Sequence, residues 1–280
     1  MRIINSEEIS EKVCRMCIDA NCHISSPIKN ALTSAIDSEE SEIGRSVLEN
    51  ILKNAQIADE KEIPICQDTG MAVFFVEVGQ DVIVSGENLS KAIESGVRKG
   101  YMDGFLRKSV VADPLNRINT NDNTPPVIHY EFTDGDKIKI TFAPKGFGSE
   151  NKSSIKMLNP SDGIDGVIDF VVETVEKAGA NPCPPMVVGV GIGGTFEKAA
   201  QLAKLALTRD VGTHNPDEFY ARLEDILLEK VNKTGIGPQG FGGTTTALGV
   251  NVECFPTHIA GLPVAVNISC HATRHSTVII

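Results

Sequence analysis

The ten residues MVVGVGIGGT, numbers 186–195, decide the fold class. The apolar run at 186–190 predicts a buried strand, the glycines up to Gly194 predict a tight turn, and residues 195–208 continue with the pattern of a helix. Helical and strand patterns are interspersed along the rest of the chain. The sequence therefore predicts a mixed α/β fold.

The N-terminal residues 5–60 predict a helical layer packed on this mixed sheet. Apolar residues recur there at helical spacing, and Asn5 and Glu8 fit a capping box. Strands at 127–132 and 138–142 flank Asp134-Gly135 and predict a hairpin. Further predicted strands are 72–78, 247–254 and 264–268, and further predicted helices are 88–103, 162–178 and 216–232. We find no repeat or linker, so we expect a single catalytic domain over 1–280 with a helical part at 1–60.

The composition limits the possible partners. The chain has 280 residues, 41% of them hydrophobic, which supports a substantial core and excludes a disordered chain. Lys and Arg number 26 against 37 for Asp and Glu, giving a net charge of −11 that repels phosphate backbones. There is no apolar run of about 20 residues and no signal-peptide pattern. We expect a cytoplasmic protein that binds neither nucleic acid nor membrane.

Three of the seven cysteines lie where predicted elements end: Cys66, Cys183 and Cys270. Three thiolates on separate loops can hold three irons of a cubane and leave the fourth iron open to a substrate oxygen. The spacing alone favours buried or incidental thiols. The other four are interpreted as packing residues, in a helix for Cys14, Cys17 and Cys22 and in a strand core for Cys254.

Two glycine-rich stretches could bind ligands. Residues 145–152 combine glycines with the donors Ser149, Asn151 and Lys152, which suits a carboxylate or a cluster sulfide, or an ordinary turn. Gly189 to Gly194 permit a dinucleotide fingerprint, although Asp210 follows helix residues instead of ending a second strand. Arg107 is either a carboxylate clamp or a solvated charge.

Four motifs in register resemble the class I iron–sulfur hydro-lyases, the oxygen-sensitive fumarate hydratases and L-tartrate dehydratases. They are IPICQDTG at 63–70, KGFGSENK at 145–152, VGVGIGGT at 188–195 and the tail from His258 to Arg274. The resemblance covers nearly the whole chain. It implies a [4Fe–4S] cluster on the three loop cysteines and reversible hydration of fumarate to L-malate, a reaction of the tricarboxylic acid cycle, with dehydration of L-tartrate to oxaloacetate as the alternative.

The resemblance also implies roles for individual residues. Asp68 and His258 would be catalytic, His258 as a proton carrier or an orienting group, and Asp68 could instead cap its turn without contacting substrate. The dicarboxylate would be bound by Gln67, Asp68, Arg107, the backbone of Gly146 to Gly148, and Lys152.

Single-chain members of the resembled family continue into a second domain, whereas this sequence stops at Ile280. It therefore looks like the α subunit of the two-subunit form, and we expect a β subunit and an α2β2 assembly. Two other hypotheses stay open: a cluster-bearing subunit without catalysis, and a nucleotide-binding oxidoreductase that uses the Gly189 to Gly194 turn.

Overall fold

The computed structural model describes all 280 residues and confirms the mixed α/β class. The chain divides into two compact units, each built from separate segments. Unit one comprises 1–24, 55–147 and 274–280, and unit two comprises 25–54 and 148–273. The helical residues 1–60 are therefore shared between the two units.

The helices are α1 (Ser6–Cys22), α2 (Ser26–Ser38), α3 (Glu42–Lys61), α4 (Leu89–Asp103), α5 (Phe147–Glu150), α6 (Gly163–Ala178), α7 (Phe196–Ala206) and α8 (Glu218–Asn232). The strands are β1 (Arg2–Asn5), β2 (Met71–Gly79), β3 (Val82–Ser85), β4 (Val127–Thr133), β5 (Ile138–Lys145), β6 (Ser154–Leu158), β7 (Met186–Gly193), β8 (Ala247–Phe255), β9 (Leu262–Ser269) and β10 (Ser276–Ile279). Asn5 begins α1 as its N-cap, and its side chain accepts a hydrogen bond from the Glu7 N–H.

Unit one contains a four-stranded sheet in the order β10-β5-β2-β4. Phe74 of β2 pairs with Phe142 of β5, and their ring centroids are 5.0 Å apart in the core. Helices α1 and α4 contribute Ile9, Val97 and other apolar side chains to the same core. Burial of this apolar face is the main stabilisation of the unit.

The predicted hairpin at Asp134-Gly135 is wrong, because β2 lies between β4 and β5. Strand β4 runs parallel to β2, and β5 runs antiparallel to it. The turn passes over the end of β2, where the Gly135 carbonyl accepts a hydrogen bond from the Asp81 N–H. The Asp-Gly dipeptide is a local signal. It contains no information about β2, which lies about sixty residues earlier in the chain and inserts between the two strands.

Unit two contains a second four-stranded sheet in the order β6-β9-β7-β8. Alternate β7 side chains, such as Val188 and Val190, enter a core shared with α6 and α8. Helix α7 packs on the opposite face of the sheet, close to β7, because glycine residues of β7 leave room for its backbone. A Cβ at Gly189 would lie 2.1 Å from the Ala203 carbonyl oxygen, and a Cβ at Gly191 equally close to that of Ala199.

The N-terminal cysteines pack as predicted, whereas Cys254 does not. Cys14, Cys17 and Cys22 are buried on α1, and burial raises the pKa of each thiol. Cys254 is exposed, so its assignment to a strand core is wrong. It lies near the end of β8, which is an edge strand of its sheet. No helix of the structure combines the length and the apolar character needed to cross a bilayer.

Candidate active site

The loop from Cys66 to Gly70, between α3 and β2, forms the first half of the candidate site in unit one. Its backbone carbonyls are held by two side chains that are fully buried. The Tyr101 hydroxyl donates to the carbonyls of Thr69 at 2.9 Å and Gly70 at 3.1 Å, and the Asn123 amide donates to Gly70 at 3.1 Å. The shape of the loop is therefore fixed from beneath.

Gly70 explains why the motif ends in glycine. Its φ of 77° lies in the left-handed region, and a Cβ there would be 2.7 Å from the Lys145 backbone nitrogen. Any side chain would push β5 away from the loop. The close approach places the end of β5, and Gly146 after it, beside Asp68.

Asp68 uses its carboxylate within the protein. Oδ1 accepts a hydrogen bond from the Gly70 N–H at 3.1 Å, and Oδ2 accepts one from the Phe147 N–H at 2.9 Å. The Asp68 N–H itself points to Cys66 Sγ at 3.4 Å. Asp68 therefore caps its turn. Its carboxylate retains further lone pairs that can accept hydrogen bonds from a ligand.

Arg107 belongs to the same half-site. Buried Thr69 clamps its backbone, since Thr69 Oγ1 accepts from the Arg107 N–H at 2.9 Å and lies 3.2 Å from its carbonyl. The Arg107 and Gln67 side chains are exposed. Arg107 makes no ion pair within the chain, so its guanidinium is available to an anion.

The segment after Arg107 is held by a buried network. Asn123 Oδ1 accepts from the backbone N–H groups of Ser109 at 2.7 Å and Val110 at 3.2 Å. Asp122, partly buried, accepts hydrogen bonds from Arg98 and Thr124, which outweigh desolvation and lower its pKa to about 2. This network keeps the Arg107 segment against the cysteine loop.

Arg274 is a residue of this half-site that the sequence interpretation missed. It is buried, and its Nη2 donates to the Asp68 carbonyl at 3.0 Å. Its position in the motif tail was the only signal, because nothing local marks an arginine as buried. Arginine is usually exposed in folded proteins, so the sequence predicts an exposed side chain here.

Cys183 and Cys270 form the second half of the candidate site, in unit two. Cys183 lies in the turn before β7, and Cys270 follows β9 directly. Because Val187 pairs with Ser269 in the sheet, both cysteines come to the same end of it. The His271 N–H donates to the Cys183 carbonyl at 3.3 Å. The structure thus brings these two predicted ligands together.

Gln239 is the second missed residue, and it lies in the glycine-rich stretch 235–243. Its backbone N–H and its Nε2 both lie 2.8 Å from the Pro184 carbonyl, to which they donate. Nε2 is also 3.1 Å from His271 Nδ1. Gln239 therefore ties the loop of Cys183 to the loop of Cys270.

Gly148 and Lys152 are at the same end of the unit-two sheet as these cysteines. A Cβ at Gly148 would be 3.8 Å from the Asn181 carbonyl, in the turn that carries Cys183. The Lys152 N–H closes the α5 turn on the Ser149 carbonyl at 3.0 Å. Lys152 is two residues before β6, and the first residue of β6, Ser154, pairs with Val266, so Lys152 lies toward the Cys270 end of β9.

His258 lies at the opposite end of this sheet. Its neighbour Thr257 donates to the Gly194 carbonyl at 2.9 Å, beyond the far end of β7. The eight residues of β9 separate His258 from Cys270, a distance of about 25 Å along the strand. His258 lines a cavity of 510 Å³ there with Thr195 and Lys198. The structure does not bring it to Cys183 and Cys270 within the unit.

The donor chemistry fits an iron–sulfur cluster. Cys66 and Cys270 are partly accessible and Cys183 is exposed, and all three lie on loops outside disulfides. Thiolates are the ligands that such clusters use, and the buried thiols of α1 with raised pKa are poor candidates. No single place gathers three His, Cys, Asp or Glu side chains around one metal-ion position.

The glycines of the dinucleotide-like turn have a packing role. Gly189 and Gly191 allow α7 to lie on β7, and Asp210 falls in the turn after α7, where no second strand ends. The geometry gives these residues a structural function. Asp210 does not take the strand-end position at which an acidic residue binds a ribose.

Comparisons with known proteins identify the family. The sequence model described as "Fumarate hydratase (Fumerase)" matches residues 10–279. A Methanocaldococcus jannaschii protein named "Putative L(+)-tartrate dehydratase subunit alpha" is 43% identical over 277 residues, covering 96% of each chain. The "L(+)-tartrate dehydratase subunit alpha" of Escherichia coli O157:H7 is 32% identical over 277 residues, covering 98% of this chain and 91% of the relative. The chain therefore belongs to the fumarate hydratase (Fumerase) family of hydro-lyases.

Proposed function

We propose that this chain is the α subunit of an iron–sulfur hydro-lyase that reversibly hydrates fumarate to L-malate. Family membership over residues 10–279 supports the reaction class. The observation that carries the site is the pairing of the accessible thiols Cys183 and Cys270 at one end of a sheet. Cysteines outside disulfides suit a reducing compartment, so we place the enzyme in the cytoplasm.

The proposed cofactor is a [4Fe–4S] cluster held by Cys66, Cys183 and Cys270. When bound, it supplies a Lewis acid for the hydroxyl that leaves malate, which is otherwise a poor leaving group.

The protein's own residues bind and orient the dicarboxylate. Arg107 offers an unpaired, exposed guanidinium to a carboxylate, and Gln67 offers an exposed amide. The backbone at Gly146 and Gly148 and the Lys152 ammonium supply further contacts. Asp68, held by two backbone hydrogen bonds, presents its remaining lone pairs to the substrate hydroxyl.

The proton role of His258 rests on the resemblance alone, because the structure places its ring at the other end of the unit-two sheet. His258 remains a proposed proton carrier. The rest of the proposed function does not depend on it.

A β subunit completes the proposed enzyme. The relatives carry names that end in "subunit alpha", which supports a partner of the corresponding β type. We propose an α2β2 assembly in which the partner supplies the remaining carboxylate contacts. A cluster-bearing subunit without catalysis would have no use for the available guanidinium of Arg107 beside the Cys66 loop.

L-tartrate is the second candidate substrate, and the names of the relatives favour it. L-malate and L-tartrate share a 2-hydroxy dicarboxylate skeleton, so the same donors serve both. They differ in one hydroxyl group. A site that hydrogen-bonds this hydroxyl discriminates strongly against a substrate that lacks it.

The decisive experiment is anaerobic reconstitution of the full chain with iron and sulfide, followed by electron paramagnetic resonance after mild oxidation. We expect a [3Fe–4S] signal in the wild type that is lost in Cys66→Ser, Cys183→Ser and Cys270→Ser. Cys254→Ser is the matched control, since Cys254 is also an accessible thiol. A signal that survives in any of the three variants, or is absent from the wild type, would overturn the proposed cluster.

A further inference from the structure

Arg274 carries a buried positive charge that the chain does not neutralise. Only 6% of its surface is exposed, and one donor, Nη2, binds the Asp68 carbonyl. Its Nε and Nη1 have no hydrogen-bond partner. No carboxylate forms an ion pair with it. Burial of an unpaired cation is costly, so a compensating negative charge is expected nearby.

The groups described around Arg274 do not form an ion pair with it. The Asp68 carboxylate is directed to the Gly70 and Phe147 N–H groups. Arg274 also interacts with the Cys22 thiol and the Tyr101 hydroxyl. Burial raises the pKa of both groups, and the charge of Arg274 opposes this only in part. Both are therefore neutral at physiological pH.

Neutral donors already hold the same loop. Tyr101 binds the Thr69 and Gly70 carbonyls, and Asn123 binds Gly70. An arginine is not required merely to satisfy the next carbonyl, that of Asp68. Arg274 instead places a fixed positive charge at the Asp68 carbonyl, two residues after Cys66. This charge would stabilise a negatively charged group bound at the loop.

We propose that Arg274 is a positioning residue of the cluster site, which fixes the Cys66–Gly70 loop through the Asp68 carbonyl and offsets the negative charge bound at Cys66. This inference rests on the proposed function. The charge acts through the buried interior of unit one, where electrostatic interactions are less screened than in water. Arg274 makes no contact with substrate in this role.

The positioning part is tested without a cluster, by hydrogen exchange of the full apo chain read by mass spectrometry. We expect the amides of residues 65–70 to exchange about tenfold faster in Arg274→Gln than in the wild type, the effect of losing one charge-assisted hydrogen bond. Arg222→Gln, which changes an exposed helical arginine, is the control. Unchanged exchange at 65–70 in Arg274→Gln overturns the positioning role.

The charge part is tested on the reconstituted chain by a redox titration of the [3Fe–4S] signal. Loss of a nearby positive charge disfavours reduction, so the potential should become more negative in Arg274→Gln and stay near the wild-type value in Arg274→Lys. Tyr101→Phe removes neutral hydrogen bonds from the same loop and should leave the potential unchanged. Equal potentials in Arg274→Gln and wild type overturn the charge role. A wild type without any cluster instead defeats the proposed function, and the exchange result still decides the positioning role.

Discussion

The Asp68 carboxylate and the Phe147 backbone N–H are joined by a hydrogen bond of 2.9 Å. The two residues are 79 positions apart. Asp68 belongs to the motif at 63–70 and Phe147 to the glycine-rich motif at 145–152. The other carboxylate oxygen accepts from Gly70 at 3.1 Å. One side chain thus sets the turn after Cys66 and anchors the beginning of the glycine loop, both within unit one.

Replacing Asp68 tests this double anchor. Asp68→Asn substitutes an amide NH2 for one accepting oxygen, which leaves a backbone N–H unpaired, so we expect a loss of about 1–2 kcal/mol in unfolding free energy. Turnover should also fall, since the turn beside Cys66 loses its anchor. The control is Asp136→Asn, an exposed carboxylate in the same unit. Equal stability of both variants, measured by urea unfolding, would contradict the anchoring role.

Asp122 gives a prediction for pH. Its pKa is lowered to about 2 against a usual value near 4, so its contribution to stability is present above about pH 4 and is lost as the pH falls toward 2. Because Arg98 is half exposed, solvent screens its interaction with Asp122. We therefore expect the pair to contribute about 1 kcal/mol to the unfolding free energy at pH 7. The unfolding free energies of wild type and Asp122→Asn should therefore differ at pH 7 and converge at about pH 2. A difference that persists at that pH would refute the assignment.

Glu39 provides a matched pair of variants in unit two. It is 1% exposed, and its carboxylate accepts from the backbone N–H groups of Ser41 at 3.0 Å and of Thr244 and Thr245 at 2.8 Å. We expect Glu39→Gln to cost about 2 kcal/mol because it leaves a buried donor unpaired. Its neighbour Glu40 is exposed, and Glu40→Gln should be neutral in thermal unfolding. Similar melting temperatures for both variants would count against this reading.

The substrate and the partner are decided by one set of assays. The reconstituted chain should turn over neither fumarate nor L-tartrate alone, and should gain activity when a β subunit is added anaerobically. We expect hydration of fumarate to exceed dehydration of L-tartrate in kcat/KM. Preference for L-tartrate would establish the second candidate function, and substantial turnover by the isolated chain would remove the need for a β subunit.

His258 has a test of its own. His258→Asn keeps a hydrogen-bonding side chain but cannot carry a proton near neutral pH. If His258 transfers a proton, kcat of the complete enzyme should fall by about 100-fold or more, with cluster content unchanged. His214→Asn, at another partly exposed histidine of unit two, is the control. Wild-type turnover in His258→Asn would remove this residue from the mechanism.

The elements with a strong local pattern were predictable. Periodic apolar spacing located α4, α6 and α8, and the apolar runs located β2 and β7, because each pattern reflects one buried face. The predicted hairpin failed because pairing in unit one depends on β2 inserting between two strands. The burial of Cys254 was wrongly predicted because sequence does not reveal that β8 is an edge strand.

For the candidate site, the sequence by itself determined the chemistry: which thiols lie on loops, which glycines must remain glycine, and which family motifs are present. The tertiary structure alone decided which of these residues meet. It paired Cys183 with Cys270 through strand register, moved His258 to the other end of the same sheet, and placed Arg274 beneath the Cys66 loop. The physical reason is range: propensity and spacing act over a few residues, whereas register and burial depend on contacts between segments far apart in the chain.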